Sequence, residues 1–350
     1  MSGRHPYAGQ PAERFWRTAS GAVGELDPVG AVSFRIAAAD RVVTAGSCFA
    51  QHVARHLALA GFRHHVTEPG HPLIGPVERA AFQYGVFSAR YGNIYTARQL
   101  RQLLARAYGE FVPVAECWDG TQGGVVDPFR PQIQPGGFLH LAELRADRAQ
   151  HLAAVRRAVE EMEVFVFTLG LTEAWLDLRD GAVFPLAPGV AGGVFDETVH
   201  GFHNFTVDET AQDLAAALGM IRARNPRARV VVTVSPVPLA ATAVARHVWV
   251  STTYSKAVLR VAAEQVCAGM EGVDYFPSYE IITSPHVRGR YFAADGRAVL
   301  EEGVEHVMRV FLRHYGGAAG AAVAAAEDTH LAEMERIVRV ICDEEAIRGE

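Results

Sequence analysis

The chain has 350 residues, of which 49% are hydrophobic and 21% charged, so it can bury a substantial core without covalent support. A net charge of −6 and an isoelectric point of about 6.2 give no indication of a nucleic-acid partner. No run of about 18 apolar residues predicts a membrane span, and residues 1–17 are polar and interrupted by Pro6 and Pro11. We therefore expect a cytoplasmic protein.

The sequence shows no pattern that would hold a metal, a disulfide or a cofactor. The four cysteines are scattered and form no CxxC pair; they are Cys48, Cys117, Cys267 and Cys342. A disulfide framework and a zinc site are therefore not expected, and neither is a cofactor. His64, His65 and His71 cluster without a recognisable ligand spacing.

The predicted organisation has three parts. Residues 1–30 show little periodicity and are expected to form an irregular N-terminal arm. Residues 31–315 carry the alternating pattern of an α/β domain. Residues 316–350 begin as an Ala/Gly-rich linker and end in an amphipathic helix at 330–346. That helix is expected to serve packing or dimerisation, so a homo-oligomer is one expectation for this chain.

Apolar runs and helical spacing place the elements along the chain. Strands are predicted at 32–36 (an edge strand), 42–44, 61–67, 164–168, 230–234 and 273–276. Helices are predicted at 49–60, after the cap Thr96, at 139–162, after the capping box at Thr206, at 253–270 and at 299–315. Two Gly- and Pro-rich segments, 112–137 and 181–199, predict excursions. The first is expected to be a small hairpin or insertion, either a wall of a substrate site or plain surface.

Strands that alternate with helices predict an α/β fold, a three-layer sandwich with a mainly parallel central sheet. Ligands of such sheets bind beyond the carboxyl ends of the strands. Ser47 and the segments 170–173 and 235–238 each follow a predicted strand. Topology alone is therefore expected to bring them to one crevice.

The stretch at 42–62, VVTAGSCFAQHVARHLALAGF, predicts a buried strand that turns directly into a helix. Gly46 is expected to let this turn close without a Cβ clash. The first amides of the helix have no intrahelical partner, so a hydroxyl at Ser47 would lie beside potential oxyanion donors. A plain alternative is that Ser47 only caps the helix.

Several motifs resemble one known family. They are GSCFA at 46–50, YGNIYTARQL at 91–100, TLGLTEAW at 168–175, FHNF at 202–205, TVSPVPL at 233–239, YSKAVLR at 254–260 and FPSYEI at 276–281. In this order they resemble the GSCFA family, which is similar to the SGNH/GDSL hydrolases. The resemblance implies an SGNH- or flavodoxin-like sandwich and Ser47 as the nucleophile. Cys48 would take that role in a thiol enzyme, and Ser47 is favoured.

The resemblance also implies an oxyanion hole built from two later loops. Its candidates are Gly92 and Asn93 in one loop and Gly170 in the other, beside Gly46 and the backbone of Cys48. An asparagine is expected where Thr172 stands, and Thr172 can donate one hydrogen bond. Turn positions explain Gly170 and Asn93 equally well.

The expected catalytic base is altered. SGNH enzymes carry a DxxH motif before the last helix, and here Asp295 is present but Ala298 replaces the histidine. An alanine cannot accept a proton, so the usual Asp–His pair cannot form from this segment. Histidines that could substitute are His203, the preferred one, then His247 and His286.

Three further residues are candidates for binding. Lys256 could bind a substrate phosphate or carboxylate or pair with Glu173, which could instead orient a base, and Arg297 could hold an anionic group. The expected function is a serine esterase or acyltransferase acting on an acyl or acetyl ester of a carbohydrate or small metabolite. The alternatives are a protein that binds a glycan or nucleotide-linked ligand without turnover, and a partner-binding protein that uses its terminal helix.

Overall fold

A computed structural model describes residues 5–17, 24–316 and 346–347 of the chain. In chain order the elements are β1 (Val42–Gly46), α1 (Phe49–Leu59), α2 (Pro76–Ala81), α3 (Ala97–Ala107), β2 (Trp118–Asp119), β3 (Val125–Val126), α4 (Leu141–Glu161), β4 (Val164–Leu169), β5 (Glu173–Asp177), β6 (Val183–Phe184), β7 (His200–Asn204), α5 (Val207–Arg224), β8 (Arg229–Val234), α6 (Val248–Gly269), β9 (Val273–Phe276), α7 (Ser278–Thr283) and α8 (Glu301–Tyr315). Short 3-10 turns occupy Ala12–Arg14 and Pro285–Val287.

The central sheet has four parallel strands in the order β1-β4-β8-β9. A strand was predicted at 61–67, and the structure shows only a single bridge there, between Val42 and His64. The Val42 amide donates to the Arg63 carbonyl at 2.9 Å, and the His65 amide donates to the Val42 carbonyl at 2.8 Å. This segment therefore lies beside β1 through one bridge and does not join the sheet as a fifth strand.

Helices cover both faces of the sheet, which confirms the predicted α/β layering. Successive strand residues point to opposite faces, so Phe165 and Phe167 join one core cluster while Val164 and Val166 join the other. The first cluster contains buried residues of α3, α4, α5 and α6. The second contains those of α1, α7 and α8. All six residues of β4 are buried, as a central strand covered on both sides requires.

The predicted helix caps are present. The Thr96 side chain accepts the Gln99 amide at 3.1 Å at the start of α3. Thr206 and Glu209 form the predicted capping box of α5. One boundary differs, because α6 begins at Val248, five residues before the predicted start.

The edge strand predicted at 32–36 does not form. The Ile36 amide instead donates to the carbonyl of Tyr315, at the end of α8, at 2.8 Å. The Ser33 hydroxyl donates to Asp274 at 2.6 Å, so this segment is held by side-chain and helix-end contacts and has no strand neighbour.

Both predicted excursions carry structure of their own. β2 and β3 form an antiparallel hairpin within 112–137, as predicted. A second, three-stranded antiparallel sheet has the order β6-β5-β7. β5 was not predicted, although it begins at Glu173, directly after the motif loop that follows β4. Trp118 of the hairpin packs against Phe184 of β6, so the two excursions support each other.

Of the predicted linker and terminal helix at 316–350, only residues 316, 346 and 347 are among the described residues. The prediction for that helix therefore lies outside the described part of the chain. Within the described part, no helix is both long enough and apolar enough to span a membrane.

Candidate active site

β1 ends in a turn whose geometry requires glycine. Gly46 has a φ of +139°, which side-chain-bearing residues rarely adopt. A Cβ at this position would lie 2.7 Å from the amide nitrogen and 2.8 Å from the Cβ of Thr168, and closer still to the Thr168 carbonyl oxygen. Thr168 is the partner of Gly46 in the β1–β4 register, so neither backbone can retreat without disturbing the sheet. The expectation that Gly46 lets the turn close without a clash is confirmed.

The Ser47 hydroxyl is held inside this turn. Ser47 is 2% exposed, and its amide donates to the Thr168 carbonyl at 3.1 Å. Among the described residues, the Ser47 Oγ has no hydrogen-bond partner, and neither does the buried Thr168 Oγ1. Leaving a buried hydroxyl unpaired costs about 1–3 kcal/mol, so such a group requires an explanation.

Gly170 lies directly against Ser47. A Cβ at Gly170 would lie 2.9 Å from the Ser47 Cβ and 3.1 Å from both the ring and the carbonyl oxygen of Tyr95. The Gly170 amide donates to that Tyr95 carbonyl at 2.9 Å, and the Leu171 amide does so at 3.2 Å. The Gly170 amide, predicted as an oxyanion donor, is therefore bound to protein in this conformation.

The loop that carries Gly92 and Asn93 packs against the same turn. The Ile94 amide donates to the Gly46 carbonyl at 2.8 Å, and the Tyr91 hydroxyl donates to the Thr44 carbonyl. Asn93 is 2% exposed, and its Oδ1 accepts the Gln51 Nε2 of α1 at 3.2 Å. The structure thus brings Gly92 and Asn93, which the family resemblance had named, to the side of the Ser47 turn. Cys48, also buried, stands at the cap of α1.

Thr172 and Glu173 are held by protein contacts. The Thr172 hydroxyl donates to the Asn204 Oδ1 at 2.7 Å, and its amide donates to the Ser255 hydroxyl at 3.0 Å. The Glu173 carboxylate accepts the Thr242 hydroxyl at 2.6 Å and the Ala243 amide at 3.1 Å. These contacts do not include the suggested pair between Glu173 and Lys256. Thr172 and Glu173 each have protein partners that the sequence did not reveal.

The three candidate histidines lie apart from Ser47. The His203 Nε2 bonds the Glu209 carboxylate at 2.8 Å. The exposed His247 caps α6, where its Nδ1 accepts the Trp249 amide at 3.2 Å. His286 lies in the 3-10 turn after α7. Because the Ser47 Oγ has no partner among the described residues, none of these imidazoles is within hydrogen-bond distance of it.

His52, which the sequence analysis missed, lies on α1 five residues after Ser47. Its ring packs 5.8 Å from the ring of Phe49, and its Nδ1 is buried without a partner. Burial lowers the pKa of His52 to about 4, so its imidazole is neutral near pH 7.

Of the clustered histidines His64, His65 and His71, His64 bonds the hydroxyls of Thr44 and Ser88, and burial also lowers its pKa to about 4. The described residues contain no group of three or more His, Cys, Asp or Glu placed to hold a metal ion.

The altered segment before α8 forms a closed turn. The Asp295 Oδ1 accepts the amides of Arg297 at 2.9 Å and Ala298 at 3.0 Å. The Arg297 Nε donates to the Pro238 carbonyl at 3.2 Å, which ties this turn to the loop after β8. A cavity of about 420 Å³ lies between the two and the start of α6. Leu239 separates it from a second cavity of about 220 Å³, which Leu171 and Trp175 also line.

Lys256 is a buried basic residue of this region. It is 2% exposed, and its Nζ donates to the Gly170 carbonyl at 2.7 Å. The preceding residue of α6, Ser255, accepts the Thr172 amide. α6 therefore holds the loop after β4 from one side, while Tyr95 holds it from the other.

The structure thus brings Gly46, Ser47, Asn93, Gly170 and Lys256 to one edge of the sheet. Residues 41–311 of the chain match the GSCFA family. The matched residues include the whole central sheet and every element that forms this edge. A search of curated proteins finds no match. The match extends over most of the sequence, and on that ground the protein is a member of the GSCFA family.

Proposed function

We propose that the protein is a serine-dependent esterase or acyltransferase, similar to the SGNH hydrolases, that acts on an acyl ester of a carbohydrate or small metabolite. One observation carries the proposal. The Gly46–Ser47 turn combines an unusual backbone conformation with a buried, unpartnered hydroxyl, at the carboxyl edge of a parallel sheet. The unpaired hydroxyl is of order 1–3 kcal/mol unfavourable, and buried polar groups of this kind require a functional or structural explanation.

In the proposed reaction the Ser47 Oγ attacks the carbonyl carbon of the ester while its proton passes to a base. The carbonyl oxygen becomes an oxyanion. The Ala50 and Gln51 amides bind the carbonyls of Ser47 and Cys48, so the candidate donor to the oxyanion at the start of α1 is the Phe49 amide. Collapse of this intermediate releases the alcohol, which receives the proton, and leaves an acyl-serine. Water or an acceptor hydroxyl then takes the acyl group by the same steps in reverse.

The two cavities that share Leu239 are the candidate spaces for the two portions of the ester, although Ser47 lines neither of them. The smaller one is walled by Leu171, Trp175 and Phe202, which suits an apolar acyl group. The larger one has Arg297 and Thr252 on its wall, which suits the polar alcohol portion. No cofactor or metal is needed for this chemistry.

A fluorophosphonate probe tests the proposal, because it transfers its phosphonyl group to an activated serine with loss of fluoride. We expect labelling at Ser47 in the wild-type protein and none in Ser47→Ala, together with a loss of aryl-ester turnover of about 10³-fold or more. Ser235→Ala is the matched control, since Ser235 is also a buried serine at a strand end. Equal labelling of wild-type protein and Ser47→Ala would refute the proposal.

Binding of such an ester without turnover is the second candidate. It is favoured by the closed Asp295 turn, in which Ala298 stands in place of the expected histidine, and by the fact that no imidazole of the described residues bonds Ser47. Under this alternative an acyl ester would raise the unfolding temperature, while the probe would leave Ser47 unmodified.

A further inference from the structure

Lys256 is the only lysine in the sequence. Lysine and arginine together number 33, so the chain has 32 arginines and this one lysine. The two cations differ in one respect that matters here. Arginine stays protonated in proteins, whereas burial can convert a lysine to the neutral amine, which accepts protons. The single departure from arginine therefore points to a position where a removable proton is useful.

That position adjoins Ser47. The Lys256 Nζ binds the carbonyl of Gly170, the residue whose α-carbon packs against the Ser47 side chain. If Lys256 only donated a hydrogen bond to this carbonyl, an arginine would serve as well. Elsewhere in the described structure, arginine side chains make such hydrogen bonds to backbone carbonyls. Arg90, for example, donates from its guanidinium to the carbonyls of Phe82 and Ile133.

We propose that Lys256, as the neutral amine, accepts the proton of the Ser47 hydroxyl and so replaces the missing histidine. This inference rests on the proposed function. The Lys256 Nζ binds the Gly170 carbonyl and is not within hydrogen-bond distance of the Ser47 Oγ, so the transfer needs one bridging water. As the Ser47 Oγ bonds to the acyl carbon, its proton moves through that water to the Lys256 Nζ and forms an ammonium. The ammonium then protonates the departing alkoxide and returns to the amine. In the second half-reaction it takes the proton of the attacking water or alcohol and gives it to Ser47.

The charge of Lys256 can be measured in the intact wild-type protein. Protein produced with ¹³C-labelled lysine carries one labelled side chain, so the ¹³Cε signal needs no assignment. We expect it to titrate well below the ordinary lysine pKa of about 10.4 in the folded protein and near that value in denaturant. A signal that stays that of an ammonium up to about pH 10 in the folded protein overturns the inference.

Two substitutions separate proton transfer from anchoring. Lys256→Arg keeps donors for the Gly170 carbonyl but cannot accept a proton, while Lys256→Met removes both the donors and the proton acceptor. We expect both to slow fluorophosphonate labelling of Ser47 by about 10²–10⁴-fold. Arg260→Met is the matched control, because it removes a cation from the same helix one turn later and should label at the wild-type rate.

The outcomes distinguish this inference from the function beneath it. Wild-type labelling that is lost in Lys256→Arg, in a variant that keeps the wild-type circular dichroism spectrum, supports proton transfer. A Lys256→Arg protein that labels at the wild-type rate overturns the role of Lys256 and leaves the serine chemistry standing. A wild-type protein that is never labelled at Ser47 refutes the serine chemistry itself and the proton transfer with it.

Discussion

Replacing Gly46 with alanine tests the turn on which the candidate site depends. The new Cβ would lie 2.7 Å from the Thr168 amide nitrogen, and the backbone would have to hold a φ of +139°. Relief is blocked on three sides. Gly46 is in register with Thr168, its carbonyl accepts the Ile94 amide, and the next amide binds the Thr168 carbonyl.

The loss of stability can be estimated from these two effects. A residue held in a sparsely populated backbone region costs about 1–3 kcal/mol. Forcing an extra methyl group into a filled space costs about 1–3 kcal/mol more. We therefore expect Gly46→Ala to lower the free energy of unfolding by about 2–6 kcal/mol, a large part of the roughly 5–15 kcal/mol available to a folded protein.

Urea unfolding followed by circular dichroism measures this loss. Gly219→Ala is the control, because Gly219 lies in α5 and a Cβ at this position would have no other heavy atom within 4 Å. That change should stabilise the protein by up to about 1 kcal/mol through helix propensity. If Gly46→Ala loses less than about 1 kcal/mol, the strand-to-helix turn is not as constrained as described here and the reasoning fails.

Two other predictions concern a buried ion pair and a histidine. Asp127 is fully buried between Arg130 and Arg148; although burial raises the pKa of Asp127, these arginines hold it well below its usual range. Asp127→Asn should therefore cost about 3–5 kcal/mol at pH 7 in urea unfolding, with a deficit that is constant above about pH 4 and shrinks below it, because the Asp127 carboxylate of the unfolded wild-type chain is protonated there before that of the folded protein. Glu116→Gln, at an exposed pair with Arg145, is the control and should show no measurable loss. His203→Gln should leave fluorophosphonate labelling of Ser47 within about threefold of wild type, since His203 bonds Glu209; a loss of about 10³-fold would make His203 the base and count against Lys256.

The layered fold was accessible from the sequence because its signals are local. A mostly apolar run of β-branched and aromatic residues such as 164–168 favours a covered strand, and a Thr206–Glu209 pair three residues apart favours a helix start. Residues 32–36 and 61–67 have the composition of strands. Whether they pair along their length depends on neighbours far away in the chain, and the sequence pattern does not contain that information.

The candidate site was accessible only at the level of topology. Parallel strands bring Ser47 and Gly170 to one edge whatever their side chains do, so their proximity followed from the strand assignment. The hydrogen bonds did not follow. The Gly170 amide binds the Tyr95 carbonyl, a contact between residues 75 positions apart, and this removes a donor that the motif alone had assigned to an oxyanion. Motif resemblance transfers residue types more securely than it transfers their contacts.

The lysine count carried a signal that motif reading passes over. A motif is compared with other sequences, so Lys256 looked ordinary within YSKAVLR. Within its own chain Lys256 is exceptional, because the other 32 of the 33 lysine and arginine positions are arginine. Arginine would preserve charge and hydrogen bonding at most anchoring sites, so the exception is informative about the one property that arginine lacks, an accessible neutral form. Under the proposed function, Ala298, where the family resemblance predicts a histidine, and the lysine behind Gly170 become two parts of one explanation, in which the proton of Ser47 leaves toward α6 instead of toward α8.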